Sequence, residues 1–217
     1  MTHRLCAQVI LAILVSGLAP VHAWAEAIVL GTVSKSPLSG SAPGLTSTLD
    51  VKTLPPDEFL TTSADQWALR GLVFYERSDE ACYIGTLRTS LNGRHTAEST
   101  SNNITRPPCT GKNVHDKQTI KFDKADHVIQ SIQVCTTDKK KKDDKIKGAE
   151  IWAVRVGQDG TLFEASLSDK FRRPNCARWH EKVSCPSNQI AIGVEASWGD
   201  GGFAGLRLRC KAVGPKE

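Results

Sequence analysis

Three times along this chain, a short apolar strand with a small central residue leads through a polar loop into a second strand with a glycine near its start. The first strands are "WALRGLVFY" (Trp67 to Tyr75), "HVIQSIQVC" (His127 to Cys135) and "QIAIGVEAS" (Gln189 to Ser197). Their central residues, Gly71, Ser131 and Gly193, are spaced 60 and 62 residues apart. The second strands are "YIGTLRTSL" (Tyr83 to Leu91), "IKGAEIWAV" (Ile146 to Val154) and "FAGLRLRCKAV" (Phe203 to Val213), carrying Gly85, Gly148 and Gly205. Alternation such as Leu206-Arg207-Leu208-Arg209 marks a half-buried strand. No segment sustains a 3.6-residue period over helical length, so the chain reads as all-β. One hairpin cannot bury its apolar face alone, whereas three packed about a common axis can. The repeats therefore predict a pseudo-threefold assembly, with glycines where backbones approach closely.

The first 25 residues have a different texture. Arg4, an apolar core from Val9 to Leu18, Pro20 and the small residues of Ala23-Trp24-Ala25 follow the layout of a secretory signal peptide. Cleavage is expected before Glu26, with a cut before Ile28 as the alternative. The apolar core is short for a bilayer crossing of about 20 residues. Cys6 leaves with the signal, and Cys82, Cys109, Cys135, Cys176, Cys185 and Cys210 remain. An even count in an exported chain predicts three disulfides, and pairing neighbours in order gives 82–109, 135–176 and 185–210 among the possible connectivities. No CxxC or HxxxH spacing favours a metal site instead. The predicted compartment is extracellular, or periplasmic in a Gram-negative bacterium.

Residues 26–56 are rich in Gly, Ser, Thr and Pro and read as a flexible or extended lead-in. Residues 57–214 then form one domain, with repeats at about 58–100, 118–160 and 179–213. Arg94 to Cys109 is polar, contains the formal sequon Asn103-Ile104-Thr105, and reads as a surface loop. The formal charge of +5 falls to about +4 without the signal, far from the concentrated charge of a nucleic-acid binder.

The third repeat, "WHEKVSCPSNQIAIGVEASWGDGGFAGLRLRC" (Trp179 to Cys210), resembles the repeat of vitelline membrane outer layer protein I. Trp179, Cys185-Pro186, Gly193, Asp200 and Cys210 carry the likeness, as do Asp143-Asp144 before the second strand of the second repeat. The resemblance implies a β-prism of three antiparallel Greek-key sheets around a pseudo-threefold axis, and the chain also resembles, more loosely, the jacalin-like lectins, which use the same architecture. The first two repeats lack the Cys-Pro pair, and "WGDGGF" has one aspartate where the family has two. A fold of this kind does not by itself fix an activity.

Catalytic signals are sparse. His180-Glu181 is not an HExxH helix, no GxSxG elbow occurs, and nothing selects a carboxylate pair from Asp143, Asp144, Asp200 and Glu150. No cofactor is expected, and carboxylates in the loops fall short of a calcium motif. Sugar recognition combines a flat aromatic face with carboxylates for the hydroxyls. "SWGDGGF" offers Trp198, Asp200 and Phe203, and the equivalent loops supply Asp79, Glu80, Asp138, Asp143 and Asp144. The bland alternative packs Trp198 on a sheet and leaves Asp200 to shape a turn. Trp67, Trp152 and Trp179 are expected in the core. Lys139, Lys140, Lys141 and Lys142 read as a solvated hairpin tip, with contact to an acidic glycan or membrane surface as the alternative. The sequence thus points to a secreted, non-catalytic β-prism that binds carbohydrate or a glycan-bearing surface. A structural coat protein working through protein–protein contacts is the alternative, and a glycan-modifying enzyme a third reading.

Overall fold

The three repeats fold as three antiparallel hairpins, and each is widened into a sheet by strands from outside the repeat core. The computed structural model describes residues 27–42, 45–50, 67–77, 80–91, 96–98, 104–105, 116–138, 144–199 and 202–216. Among these, the chain runs through β1 (Ala27–Lys35), β2 (Ser39–Gly40), β3 (Leu45–Asp50), β4 (Trp67–Arg77) and β5 (Glu80–Ser90). It continues with β6 (Thr96–Glu98), β7 (Ile104–Thr105), β8 (Asp116–Lys121), β9 (His127–Thr136) and β10 (Ile146–Val156). The last five are β11 (Leu162–Arg172), β12 (Arg178–Trp179), β13 (Val183–Ser184), β14 (Gln189–Gly199) and β15 (Gly202–Pro215).

Two sheets are local Greek keys. In one, β4 and β5 pair, β6 and β7 flank β5, and β8 returns beside β4. In the next, β9 and β10 pair, β11 flanks β10, and β12 and β13 return beside β9. The third is completed from the other end of the chain: β1 and β2 pair with β15, and β3 pairs with β14. The lead-in is extended, but it belongs to the fold and supplies both outer positions of this sheet. Part of the expected surface loop is likewise sheet, since β6 and β7 lie within Arg94 to Cys109.

β4, β9 and β14 touch one another pairwise, which places the three hairpins around one axis. Their apolar sides meet there through Leu69, Leu72 and Phe74, Ile129, Ile132 and Val134, and Ile190, Val194 and Ala196, all fully buried. Burying one such aliphatic or aromatic side chain stabilises the fold by roughly 1.5–3 kcal/mol before entropy is counted. The expected alternation holds in β15, where Leu206 and Leu208 are buried and Arg207 and Arg209 half-buried.

The repeated small residues mark repeated irregularities. Arg70, Gln130 and Ile192 are extra residues in β4, β9 and β14, each skipped by the ladder to the second strand. Each bulge immediately precedes Gly71, Ser131 or Gly193, and each of these residues faces the sheet's outer strand: Lys121, Ser184 and Asp50 respectively. A bulge bends the strand and increases its twist, as closure about an axis requires. At Gly71 the approach is too close for a side chain, because a Cβ would stand 2.6 Å from the Ile120 carbonyl oxygen. Gly148 meets β11 in the same way, 2.9 Å from the Phe171 carbonyl oxygen.

Two disulfides clamp the later sheets. Cys135 of β9 bonds Cys176, and Cys185 bonds Cys210 of β15. Both match the in-order pairing; Cys109 and the side chain of Cys82 lie outside the described residues, as does the expected signal peptide.

Candidate functional site

The loops closing the three hairpins were expected to carry the ligand-binding carboxylates, and the strands that bear them converge. A Cβ on Gly202 would lie 3.6 Å from the Lys145 Cβ and 3.7 Å from the Ala81 carbonyl oxygen. Gly202 begins β15, Ala81 lies at the start of β5 and Lys145 directly precedes β10. One residue from each hairpin therefore meets at one end of the prism. Asp79, Asp143, Asp200 and Lys139 to Lys142 lie outside the described residues, within the loops these strands bracket.

The aromatic half of the expected site is turned inward. Phe203 is 1% exposed and belongs to the core, so its ring is closed to a ligand. Trp198 pairs across the hairpin with Phe203 and packs on the same core, with its indole Nε1 buried and unpartnered among the described residues. The short hairpin turn causes this: it keeps both aromatics in the ladder, where one face of the sheet is the prism interior. Trp198 itself is only half-buried.

Asp144 is also spent on structure. At 3% exposure its carboxylate accepts hydrogen bonds from Thr137 Oγ1 at 3.1 Å, Ser41 Oγ at 3.2 Å and its neighbour's amide, Lys145 N, at 3.1 Å. Ser41 in turn accepts from Ser197 Oγ and donates its amide to the Ala204 carbonyl. Asp144 thus ties the second hairpin to the lead-in and, through it, to the third hairpin. A buried carboxylate with three donors is an anchor rather than a free ligand group.

More accessible groups stand beside it. Asp138, in a left-handed turn with φ of 54°, is exposed and pairs with Arg178 at 3.3 Å. His180 Nε2 shares a hydrogen bond of 2.8 Å with Thr136 Oγ1. Burial holds the His180 imidazole below its usual value; Arg178 adds to this, while Asp144 and Asp138 oppose it. Sequence reading set His180 aside because it belongs to no motif, and only the fold brings it to this corner. Among the described residues no group of three or more His, Cys, Asp or Glu side chains is arranged to hold a metal.

The outward aromatics are elsewhere. Trp67 is in the core as expected, but Trp152 and Trp179 are half-buried on the outer side of the second sheet. The Lys182 ammonium stands 4.2 Å from the centre of the Trp152 ring, and Trp179 leans on the backbone at Gly148. At the opposite end of β10 from the convergent hairpins, a groove of about 390 Å³ lies between Lys124, His127 and Arg155 and the β11 segment from Glu164 to Leu167.

No family model matches the chain, and no curated protein matches it. Solved structures with a similar course include Calsepa lectin in complex with a biantennary N-glycan, at 7% identity over 86% of this chain and 99% of that one, TM-score 0.46. Single-chain recombinant jacalin aligns at 11% identity over 84% and 96%, TM-score 0.43. The second β-prism domain of RbmC from V. cholerae aligns at 14% identity over 81% and 98%, TM-score 0.44. With TM-scores below 0.5 these superpositions give no residue correspondence, and the three-sheet architecture rests on this chain's own strand pairing.

Proposed function

We propose that the protein is a non-catalytic carbohydrate-binding β-prism that recognises a glycan or glycan-bearing surface with its convergent hairpin end. The observation that carries the reading is the meeting of Ala81, Lys145 and Gly202, which gathers three loops rich in carboxylates at one end of a rigid scaffold. Loops held by a packed frame are where binding groups are usually placed. Asp138 and Arg178 add an exposed acceptor and donor at the same end, suited to sugar hydroxyls. Asp144, a buried hairpin-end carboxylate, is engaged as an anchor and unsuited to acid–base work. The likeness of residues 179–210 to the vitelline membrane outer layer protein I repeat belongs to this reading as a proposed kinship. So does export to an oxidising compartment, in keeping with two observed disulfides and no described helix long and apolar enough to cross a membrane.

A glycan array with disulfide-intact protein tests the proposal. Binding should be retained by Trp198→Phe and lost by combined Asp79→Ala, Asp143→Ala and Asp200→Ala, with unchanged melting. Binding that survives the triple change places recognition elsewhere, and an array without signal removes the carbohydrate reading. One observation favours the coat-protein alternative: Leu30, Val33, Phe163 and Leu167, the exposed large apolar side chains among the described residues, all lie on the edge strands β1 and β11. Concentration-dependent self-association abolished by Leu30→Ser and Phe163→Ser would support it.

A further inference from the structure

The groove at the far end of β10 owes its shape to the largest irregularity in the second sheet. Trp152 pairs with Ser168 and Val154 with Glu164, so the single residue Ala153 stands opposite three residues of β11. Ala165, Ser166 and Leu167 therefore have no ladder partner on β10, and their backbone swings away from it. Both ends of the bulge are fixed. On one side Asp169 Oδ2 accepts the Lys121 amide of β8 at 2.8 Å, and Phe171 packs on Phe74 with ring centres 4.9 Å apart. On the other, the ladder resumes at Glu164, Phe163 and Leu162. An opening held from both sides is preformed, which lowers the ordering cost of binding.

We infer that this groove is a binding site for an acidic monosaccharide unit, a hexuronate, distinct from the hairpin end and independent of whether that end binds glycans. Its volume of about 390 Å³ suits one or two sugar rings rather than a polymer chain. Two cations face it. Arg155 lies with its guanidinium 4.4 Å from the Phe163 ring centre, which fixes the direction of its planar fork. Lys124 is a second cationic residue in the groove's lining. Together they match a carboxylate, the one group that separates a hexuronate from a neutral hexose.

The remaining lining matches hydroxyls. Glu164 supplies an acceptor with no ion-pair partner among the described residues, and Ser166 a hydroxyl on the unpaired segment. His127 is held by a 2.6 Å contact between Nδ1 and Asp126 Oδ1, which leaves Nε2 as its second polar atom. A purely anionic ligand such as sulfate would leave Glu164 opposed; a neutral sugar would leave Arg155 and Lys124 unmatched. A sugar ring bearing one carboxylate satisfies both halves.

The test is a titration of the isotope-labelled, disulfide-intact protein with sodium glucuronate, watched by amide NMR, with glucose and sodium acetate as controls. Glucuronate should shift the amides of Lys124, His127, Arg155 and residues 164–167, with little response to either control. Arg155→Gln should weaken binding by about tenfold or more with an unchanged melting temperature. Glu164→Gln should weaken it less, and Asp200→Ala at the other end should leave it unaltered. Equal shifts from acetate, no shift at these amides, or full affinity in Arg155→Gln would overturn the inference. If glucuronate fails while neutral glycans still bind the hairpin end, this inference alone falls.

Discussion

The second and third sheets follow the same Greek-key plan but are assembled from the chain in different ways. The second takes all its strands from one continuous stretch, β9 to β13, with Cys135–Cys176 fastening its return. The third joins β14 and β15 to β1, β2 and β3, more than 130 residues away. The hairpins themselves are near-copies, with the same bulge before a small residue, Ser131 in one and Gly193 in the other. Repetition therefore resides in the hairpins that surround the axis, and the outer strands need only present a ladder edge of the right length. That leaves the third sheet dependent on distant contacts, which are entropically dearer to form.

The comparison can be broken most severely by deleting residues 27–50. This strips both outer positions from β14 and β15, and the expected outcome is loss of the cooperative thermal transition by circular dichroism. A melting temperature within a few degrees of the parent would show that the third sheet stands on its hairpin. Smaller effects come from the disulfides. Replacing both cysteines of either pair with alanine should cost about 3–4 kcal/mol in denaturant unfolding, because sequence separations of 41 and 25 differ little on a logarithmic scale. A markedly larger loss for Cys185–Cys210 would mark the third sheet as the weaker one.

Charge separates the sheets more gently. Glu195 on β14 lies between Lys35 of β1, at 2.8 Å, and Arg207 of β15, so it bridges the two chain ends. On the second sheet the pair equivalent to Glu195–Arg207 is Gln133–Glu150, and Glu150 is only half-buried, with Lys170 on its other side. Glu195→Gln should cost roughly 2 kcal/mol and Glu150→Gln under about 0.5 kcal/mol in the same assay. Equal losses would remove the argument that this charge bridge fastens the lead-in.

Acid should reach the second sheet first. His180 is held below its ordinary 6.5 in the folded state, so the unfolded chain binds its proton more readily. Its contribution is complete above that value and declines as pH falls below it. For Glu195, burial pushes its carboxyl up, but Lys35 and Arg207 outweigh it and hold the group below 4.5. That contribution persists until pH falls below 4.5 and is then lost. Thermal melts from pH 7.5 to 3.5 should show two steps, the upper one absent in His180→Gln. A single step near pH 4 in both proteins would contradict the assignment.

The sequence exposed the hairpins because their pattern is set by the shared axis: apolar residues inward, a small residue beside each bulge, a glycine where the third strand crosses. It also exposed two disulfides, whose partners are neighbours in order. The lead-in was harder to recognise. Edge strands need few apolar residues, so "LTSTLD" carries the Ser and Thr texture of a linker, and the short apolar start of "AIVLGTVSK" runs straight into it. Phe203 was hidden for a different reason: an aromatic next to a glycine-rich turn looks the same whether it faces solvent or the core. Asp144 shows the same ambiguity for a carboxylate, since only the fold reveals that Ser41, from the lead-in, donates to it. The bulge of β11 left no mark in composition at all.

The most direct test of the account is to map where a neutral glycan from the array touches the folded protein, by amide shifts in the disulfide-intact chain. The account predicts shifts at Ala81, Asp138, Lys145 and Gly202, on all three hairpins, with the edge strands β1 and β11 silent. Shifts confined to β1 and β11, or to a single hairpin, would contradict it.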